Sequence, residues 1–214
     1  VAITQYPIAT GSSFNEVIDL IKMKLLRFEQ GTGKTQELEI PDNEKDKAES
    51  LHASLLENLA ESDEVLMETY FENGTLSEEE ILKGLKLGIT NRSFYPVVCI
   101  CAKQNMGVNR LLNIIANYAP APNESLNLAL TITGEKLTCD NSAAPSVLVF
   151  KTSIESHLGE ISFFKVYSGE LTAGIDLINA NTSAKERLNQ LFIIAGKNRE
   201  SVEKLHAGDI GATI

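Results

Sequence analysis

The sequence predicts a mixed α/β region followed by an all-β region. Three stretches with different patterns support this fold class. Residues 1–95 mix alternating segments with apolar residues at helical spacing, and residues 96–122 have the pattern of one strand, a loop and one helix. Residues 125–214 contain short alternating segments separated by turns, which is typical of a small β-barrel.

The first stretch combines strand and helix patterns. The segments "VAITQYPI" and "TQELEIP" alternate and predict strands, whereas "SSFNEVIDLIKMKLLRFE" has its apolar residues at helical or mixed spacing. One long helix is predicted from residue 42 to Gly74, with Asp42 or Asn43 as its N-cap. A further helix follows, for which Ser77 is the predicted N-cap and Glu80 completes a capping box.

The second stretch is predicted to be a β-loop-α unit. The run "YPVVCICA" is continuously apolar, which predicts a strand buried on both faces of a sheet. A turn at "KQNMG" precedes a helix that ends before two prolines, at positions 120 and 122, which indicate a linker. The predicted core side of that helix consists of Val108, Leu111, Leu112, Ile115 and Tyr118.

Composition and charge limit the classes of function. The 214 residues carry a net charge of −10, and 18 acidic against 9 basic residues place most of it in residues 1–95. Such a surface repels nucleic acid, so no DNA is expected as a partner, and it favours a basic protein. No apolar run approaches the roughly 20 residues that span a bilayer, and no signal peptide is visible. We therefore expect a cytoplasmic protein, and the start at Val1 indicates either a processed end or a segment of a longer chain.

The residues predict neither a metal site nor a catalytic site. The chain has an odd number of cysteines, Cys99, Cys101 and Cys139, which does not suggest a disulfide framework. The C-x-C spacing of the first two, without a nearby histidine, is poor for binding a metal ion. We expect buried free thiols in a reducing compartment. His52 lies between apolar positions of the long helix, and no nucleophile accompanies a histidine in a recognisable context.

The stretch "EQGTGKTQE", residues 29–37, ends like a phosphate-binding P-loop but does not meet its requirements. The P-loop pattern places a glycine five positions before Gly33, where this chain has Phe28. A P-loop also needs a helix that opens at its lysine, whereas a strand-like segment follows Lys34. Gly31 and Gly33 instead suit a hairpin turn with positive φ.

Several segments resemble elongation factor G, a family of translational GTPases. The segment "FFKVYSGELTAG" is similar to the F-x-R-V-Y-S-G-x-L-x-x-G segment of the family's second domain, and "AGKNRESVEKLHAGDIGA" is similar to the segment that closes the same barrel. The segment "PVVCICAKQNMGVNRLLNIIANYAPAP" resembles the end of the family's GTPase domain. The segment "SSFNEVIDLIKMK" and the acidic helix resemble the insertion subdomain carried within that domain.

The resemblance implies a division into three parts and a function. Residues 1–95 would be the insertion subdomain, residues 96–122 the last strand, guanine-base loop and helix of a P-loop GTPase domain, and residues 125–214 the translation-factor β-barrel. The parent would be a ribosome-dependent GTPase that promotes translocation of transfer and messenger RNA. Its P-loop, switch regions and Asn-Lys-x-Asp motif would precede Val1. This chain is therefore expected to have no catalytic residues and to bind GTP only weakly by itself.

The resemblance also assigns candidate residues for guanine-base binding. The family's Ser-Ala-(Leu/Phe)-Lys motif falls on Cys101, Ala102, Lys103 and Gln104. Ala102 can still supply its N–H, whereas the thiol of Cys101 is a weaker donor than a serine hydroxyl. Lys103 replaces an apolar residue, and its stem can cover the base edge. These departures lead to the hypothesis of a divergent paralogue with altered nucleotide dependence.

Two surfaces are candidates for binding the ribosome. Glu49, Glu57 and Glu61 of the acidic helix are candidates for contact with the basic-faced ribosomal stalk protein, and the alternative is an ordinary solvated helix face. In the barrel, the candidates for contact with phosphates of small-subunit rRNA are Lys165, Arg187 and Arg199. Lys165 stands where the family usually has arginine, so it keeps the charge but loses bidentate geometry.

Two alternatives to elongation factor G remain open from the sequence. A release factor GTPase or a tetracycline-resistance ribosomal protection protein belongs to the same superfamily, although the insertion segment favours elongation factor G. A stand-alone, non-enzymatic binding protein belongs to a different class. The length of the parent gene would distinguish this last alternative from the others.

Overall fold

The computed structural model describes residues 1–124, 129–155 and 159–214. The chain divides into two compact units, residues 1–120 and residues 121–214. Across the described ranges, no helix is both long and apolar enough to cross a bilayer. In the same ranges, no group of three or more His, Cys, Asp and Glu residues is placed to hold a metal ion.

The first unit combines a four-stranded antiparallel sheet, a two-stranded parallel sheet and four α-helices, counted over residues 1–120. The parallel pair is β1 (Ala2–Ile3) with β6 (Pro96–Val97). The antiparallel strands lie in sequence order and are β2 (Gln5–Pro7), β3 (Glu16–Asp19), β4 (Lys24–Phe28) and β5 (Thr35–Leu38). The helices are α1 (Asp42–Ala60), α2 (Glu64–Asn73), α3 (Glu78–Thr90) and α4 (Val108–Tyr118).

The segment "SSFNEVIDLIKMKLLRFE" contains the strands β3 and β4, so the prediction of helical spacing is wrong. Val17 pairs with Leu26, and Ile18 pairs with Leu25. Ile18 and Leu25 belong to the core that the helices complete, whereas Val17 and Leu26 belong to a second cluster with Met106. Because both faces of these strands are covered, apolar residues occupy successive positions and the period-2 signal is lost.

The predicted long helix is in fact two helices, α1 and α2. The Asp63 carboxylate accepts a hydrogen bond from the backbone N–H of Leu66 (3.2 Å) and thereby caps α2. The N-cap of α1 is Pro41 and not Asp42 or Asn43. Asp42 already lies in the first turn, where its charge is favourable to the helix dipole.

The predicted end at Gly74 and the predicted start at Ser77 are both confirmed. Gly74 adopts φ of 68° after α2, a conformation that glycine adopts without a Cβ penalty. Ser77 and Glu80 form the complete capping box of α3, with the Glu80 carboxylate 2.7 Å from the backbone nitrogen of Ser77.

The stretch 96–122, predicted as a β-loop-α segment, differs from its prediction in the strand and in the buried face of the helix. Only Pro96 and Val97 of the run "YPVVCICA" pair with β1, and Val97 is 37 % exposed, so the prediction of a strand buried on both faces is wrong. Within residues 1–120, β1 is the only strand that pairs with β6. On α4 the buried residues are Arg110 and Ile114, whereas Leu112 and Ile115 of the predicted core side are exposed.

The three cysteines are free, as predicted, but half-buried and not fully buried. Burial raises the pKa of the Cys99 thiol. Because the thiolate is the reactive and metal-binding form, this shift makes Cys99 a poor nucleophile.

Apart from a short 3-10 helix at Pro122–Glu124, the second unit is all-β over its described residues. Its strands are β7 (Ser146–Glu155), β8 (Gly159–Ser168), β9 (Leu171–Thr172), β10 (Ile175–Ile178), β11 (Lys185–Leu188), β12 (Leu191–Ala195), β13 (Asn198–Val202), β14 (Lys204–Leu205) and β15 (Ile210–Thr213). Five of them form one antiparallel sheet in the order β13-β12-β15-β8-β7, and two antiparallel ribbons pair β9 with β14 and β10 with β11.

One apolar cluster forms the interior of this second unit. Its fully buried members are Phe164, Val166, Leu171, Leu191 and Leu205. They come from four different strands, so the sheet and the ribbons enclose a shared core, as expected of a small barrel. The first four residues of the predicted barrel, 125–128, lie outside the described residues.

Candidate functional site

The turn between β4 and β5 carries the sequence that imitates a P-loop. The backbone N–H of Glu29 donates to the carbonyl of Lys34 (3.0 Å) and closes the turn. Gly31 and Gly33 have φ angles of 81° and 73°, the left-handed region that glycine adopts readily. The predicted hairpin turn is confirmed.

The candidate base loop is a tight turn that leads into α4. Cys101 and Met106 exchange two backbone hydrogen bonds, of 2.9 and 3.1 Å, which close the loop. Between them, residues 102–104 form a short 3-10 helix, and both Ala102 and Lys103 are exposed. Within the described residues, the backbone N–H groups of Ala102 and Lys103 make no hydrogen bond to the backbone. Both are therefore available to an external acceptor.

The P-loop-like turn lies against this base loop. The N–H of Gly31 donates to the carbonyl of Gln104 (2.7 Å), and Nδ2 of Asn109 donates to the carbonyl of Gly33 (3.0 Å). A Cβ on Gly33 would lie 2.9 Å from the side-chain nitrogen of Asn105. Glycine therefore permits a close approach here, and the turn supports the base loop from one side.

A buried ion pair anchors α4 to the antiparallel sheet. Nε of Arg110 lies 2.6 Å from Oδ2 of Asp19, and the two side chains are 9 % and 0 % exposed. Asp19 also accepts hydrogen bonds from the Gln5 amide (2.9 Å) and from the backbone N–H groups of Ile21 (3.0 Å) and Lys22 (3.1 Å). Nη2 of Arg110 is buried and has no hydrogen-bond partner within the described residues.

The electrostatics of this pair favour the charged arginine. Burial lowers the pKa of the Arg110 guanidinium, but the hydrogen bond and the charge of Asp19, with smaller contributions from Tyr118, outweigh burial and raise the pKa. Sequence reasoning missed both residues because they lie 91 positions apart and belong to no motif. The only local signal was a single arginine among the apolar residues of α4.

The three candidate stalk-binding residues are exposed on or directly after α1. Glu49 lies within the helix, Glu57 lies in its last turn, and Glu61 follows its last residue. No basic residue lies in that last turn. The helix dipole makes a negative charge unfavourable at the C-terminus of a helix. Helix stability therefore does not explain why acidic residues occupy positions 57 and 61.

Two of the three candidate rRNA-binding residues share one outer face of the barrel sheet. Lys165 alternates along β8 with the core residue Phe164, so it lies on the same face as Ile161. The Arg199 guanidinium lies 4.8 Å from the ring centre of Phe192, and Phe192 packs in one cluster with Ile161. Lys165 and Arg199 are therefore on the same side of the sheet.

Arg187 is not grouped with these two residues. It lies on β11 opposite Asp176 of β10, in a ribbon separate from the five-stranded sheet. The hydrogen bond from Lys185, with a smaller contribution from the charge of Arg187, lowers the pKa of Asp176. Arg187 thus already has a carboxylate nearby.

Comparisons with known proteins agree with this architecture. Residues 144–214 match the family described as elongation factor G domain 2. Over 99 % of its length the chain is similar in structure to a protein of Thermus thermophilus known from its crystal structure, with a TM-score of 0.79 and 25 % sequence identity. The chain spans 29 % of that protein. These findings confirm the resemblance to elongation factor G and the fold class of mixed α/β plus β-barrel.

Proposed function

We propose that this chain, which is of the elongation factor G type, is part of a ribosome-dependent GTPase that promotes translocation in protein synthesis. The observation that carries the proposal is the elongation factor G domain 2 at residues 144–214. It is supported by the likeness of nearly the whole chain to a single larger protein. In this proposal, residues 1–95 are the insertion subdomain, residues 96–122 complete the GTPase domain, and the barrel follows.

Competition for ribosomes tests the proposal directly. The purified chain is added to an assay in which ribosomes stimulate GTP hydrolysis by an authentic elongation factor G. We expect the stimulated rate to fall progressively as the concentration of the chain rises and to approach the rate without ribosomes, because both proteins would occupy the same surface. The rate without ribosomes serves as the control and is expected to stay constant. A stimulated rate that is unchanged at a large excess of the chain would contradict the proposal.

In this proposal, the base loop holds the guanine edge of GTP. The exposed loop offers two backbone N–H groups, at Ala102 and Lys103, that have no acceptor in the backbone of the described residues. Such groups match the carbonyl oxygen of guanine, and the Lys103 stem can cover the ring. Cys101 lies at the start of the loop and closes it through its backbone. The phosphates would be bound by residues outside this chain.

The chain by itself is therefore expected to bind GTP weakly. A dissociation constant of about 1 µM corresponds to about 8 kcal/mol, which contacts to the base alone do not supply after the entropic cost of association. Isothermal calorimetry of the chain with GTP and Mg²⁺ is expected to show no saturable heat at micromolar concentrations. Saturable binding near 1 µM would contradict this prediction and would mean that residues of this chain also bind the phosphates.

We assign the acidic end of α1 to the ribosomal stalk protein. Reversal of charge at Glu49, Glu57 and Glu61 to lysine is expected to weaken binding to the isolated, basic-faced stalk protein by about tenfold or more, since charges across an interface steer and stabilise association. Fluorescence anisotropy with labelled stalk protein measures the affinity. The matched control reverses three exposed glutamates of the barrel, Glu160, Glu200 and Glu203. Equal affinity of both triple variants would eliminate this docking site.

The outer face of the barrel is the proposed contact with small-subunit rRNA. Lys165 and Arg199 place two positive charges on the same face of the sheet, and Tyr167 and Phe192 lie beneath them at 5.3 and 4.8 Å. Positive charges bind phosphates, and adjacent rings offer apolar surface to bases. Arg187 would contact a separate phosphate from its ribbon.

A further inference from the structure

The β4–β5 hairpin is bonded to the base loop and also to the helix that follows the loop. The N–H of Gly31 donates to the carbonyl of Gln104 (2.7 Å), within the loop itself. Beyond the loop, Nδ2 of Asn109 in the first turn of α4 donates to the carbonyl of Gly33 (3.0 Å). A shift of the loop relative to the hairpin would therefore break at least one of these bonds, at a cost in free energy.

Strand β4, which leads into the hairpin, packs against the closed end of the loop. Met106 is 2 % exposed and lies in one cluster with Leu26 and Phe28 of β4, and Cys101 packs against this cluster. Cys101 and Met106 are the two residues whose backbone groups close the loop. Because close packing resists displacement, the sheet that carries the hairpin also fixes the base of the loop.

The loop contains a strained residue where it comes closest to the hairpin. Asn105 has φ of 52°, in the left-handed region, which asparagine enters more readily than most residues but which still costs it free energy. A Cβ on Gly33 would lie 2.9 Å from the Asn105 side chain. A strained conformation persists where its surroundings hold it, and such residues are concentrated at functional sites. For Asn105 these surroundings include the hairpin.

We propose that the β4–β5 hairpin positions the base loop and thereby sets its preference for guanine. The inference rests on the guanine assignment under Proposed function: Gly31, Gly33 and Asn109 act through the loop, which offers the N–H groups of Ala102 and Lys103. An N–H bonds to a base only while it stays within about 3 Å of the acceptor. Guanine has a carbonyl oxygen where adenine has an amino group, so a fixed N–H accepts guanine and opposes adenine. A displaced loop loses this difference.

Heteronuclear NMR of the full chain, titrated with guanosine monophosphate or adenosine monophosphate at millimolar concentrations, tests the inference. We expect the guanine nucleotide to shift the amides of Ala102 and Lys103 and to bind more tightly than the adenine nucleotide. It is also expected to slow hydrogen exchange of the Gly31 amide. The reason is that a ligand of the loop and the hydrogen bond that holds the loop stabilise each other reciprocally.

Two glycine substitutions separate positioning of the loop from backbone strain. Gly33→Ala places a Cβ against Asn105. It is expected to weaken binding of the guanine nucleotide by about fivefold or more and to reduce the preference over adenine. Gly74→Ala, at the end of α2, imposes similar left-handed strain, with φ of 68° against 73°, but its Cβ meets no atom within 4 Å. It is expected to leave affinity and base preference unchanged, because a loss of stability alone does not alter the base preference of folded molecules.

Two asparagines of α4 keep the test decisive if Gly33→Ala does not fold. Asn109→Ala removes the donor to the Gly33 carbonyl and is expected to weaken binding of the guanine nucleotide by about threefold, the effect of losing one hydrogen bond. Asn113→Ala removes an exposed side chain of the same helix that forms no hydrogen bond within the described residues. It is expected to change neither affinity nor base preference.

The outcomes distinguish this inference from the guanine assignment itself. If the unaltered chain binds the guanine nucleotide at Ala102 and Lys103, and Gly33→Ala and Asn109→Ala bind it as their controls do, the inference is overturned and the assignment stands. If neither nucleotide shifts these two amides in the unaltered chain, the assignment fails and the inference fails with it. Neither result bears on ribosome binding, which is tested separately.

Discussion

Replacement of Asp19 by alanine is expected to lower the free energy of unfolding of the first unit by about 3–5 kcal/mol, the cost of removing one partner of a buried ion pair. The substitution leaves the buried Arg110 guanidinium without its counter-ion. It also removes the acceptor of the Gln5 amide and of the backbone N–H groups of Ile21 and Lys22. Urea unfolding followed by far-UV circular dichroism measures the loss.

Two comparisons separate this effect from a general effect of losing a carboxylate. Asp42→Ala removes an exposed pair with Lys45 that is equally short, at 2.6 Å. It is expected to cost at most about 1 kcal/mol, because water screens such pairs and only the interaction of Asp42 with the helix dipole is lost. The double variant Asp19→Leu with Arg110→Met leaves no buried charge and is expected to recover the part of the loss that comes from the unpaired guanidinium. The loss of the acceptor for Gln5, Ile21 and Lys22 is expected to remain. If Asp19→Ala were as stable as Asp42→Ala, the buried pair would not stabilise the fold.

Replacement of Gly169 by alanine is expected to lower the stability of the second unit by about 2–5 kcal/mol, from left-handed strain of about 1–2 kcal/mol and overpacking of about 1–3 kcal/mol. Gly169 follows β8 with φ of 74°. A Cβ there would lie 2.5 Å from the backbone nitrogen of Pro145 and 2.7 Å from the carbonyl oxygen of Ala143. Both obstacles are backbone atoms, so no side-chain rotation relieves them.

A second glycine of the same unit provides the matched control. Gly196, in the turn between β12 and β13, has φ of 61° but no atom within 4 Å of an added Cβ. Gly196→Ala is therefore expected to cost only the strain of the left-handed region, about 1–2 kcal/mol. Thermal unfolding of both variants measures the difference. Equal losses would show that the contact with the segment 143–145 relaxes freely.

Helix caps and turns could be predicted because their causes are local. Ser77 and Glu80 satisfy each other's backbone across three residues, and Gly74 ends α2 through its own φ angle. The turn at Gly31 and Gly33 follows from glycine in the same way. Each of these signals is contained in a few adjacent positions.

Strands β3 and β4 could not be predicted because their pattern depends on two separate cores. Val17 and Ile18 are adjacent and both fully buried, one in the cluster with Met106 and the other in the cluster under the helices. A strand covered on both faces loses the alternation by which strands are recognised, and its apolar positions then imitate helical spacing. The break at Asp63 was missed for a different reason, because carboxylates were abundant throughout the acidic helical stretch.

The candidate site was predicted in part. The base loop at Cys101, Ala102 and Lys103 was placed by resemblance, and its exposed turn is compatible with that assignment, which stays a prediction. The hydrogen bond from the Gly31 N–H to the Gln104 carbonyl, through which the P-loop-like turn supports the base loop, was not foreseen. A cavity lined by residues 22–37 and by α4 was not foreseen either, since its walls are distant in sequence.

The fold class, most of the local turns and caps, and the barrel segments that resemble elongation factor G could be predicted from the sequence alone. The folded chain was needed to show that Arg110 is buried against Asp19, that the P-loop-like turn lies beside the base loop, and that Lys165 and Arg199 share a face. The physical reason is the range of the forces involved. Caps and turns depend on neighbouring residues, whereas burial and charge pairing across 91 positions depend on the folded chain.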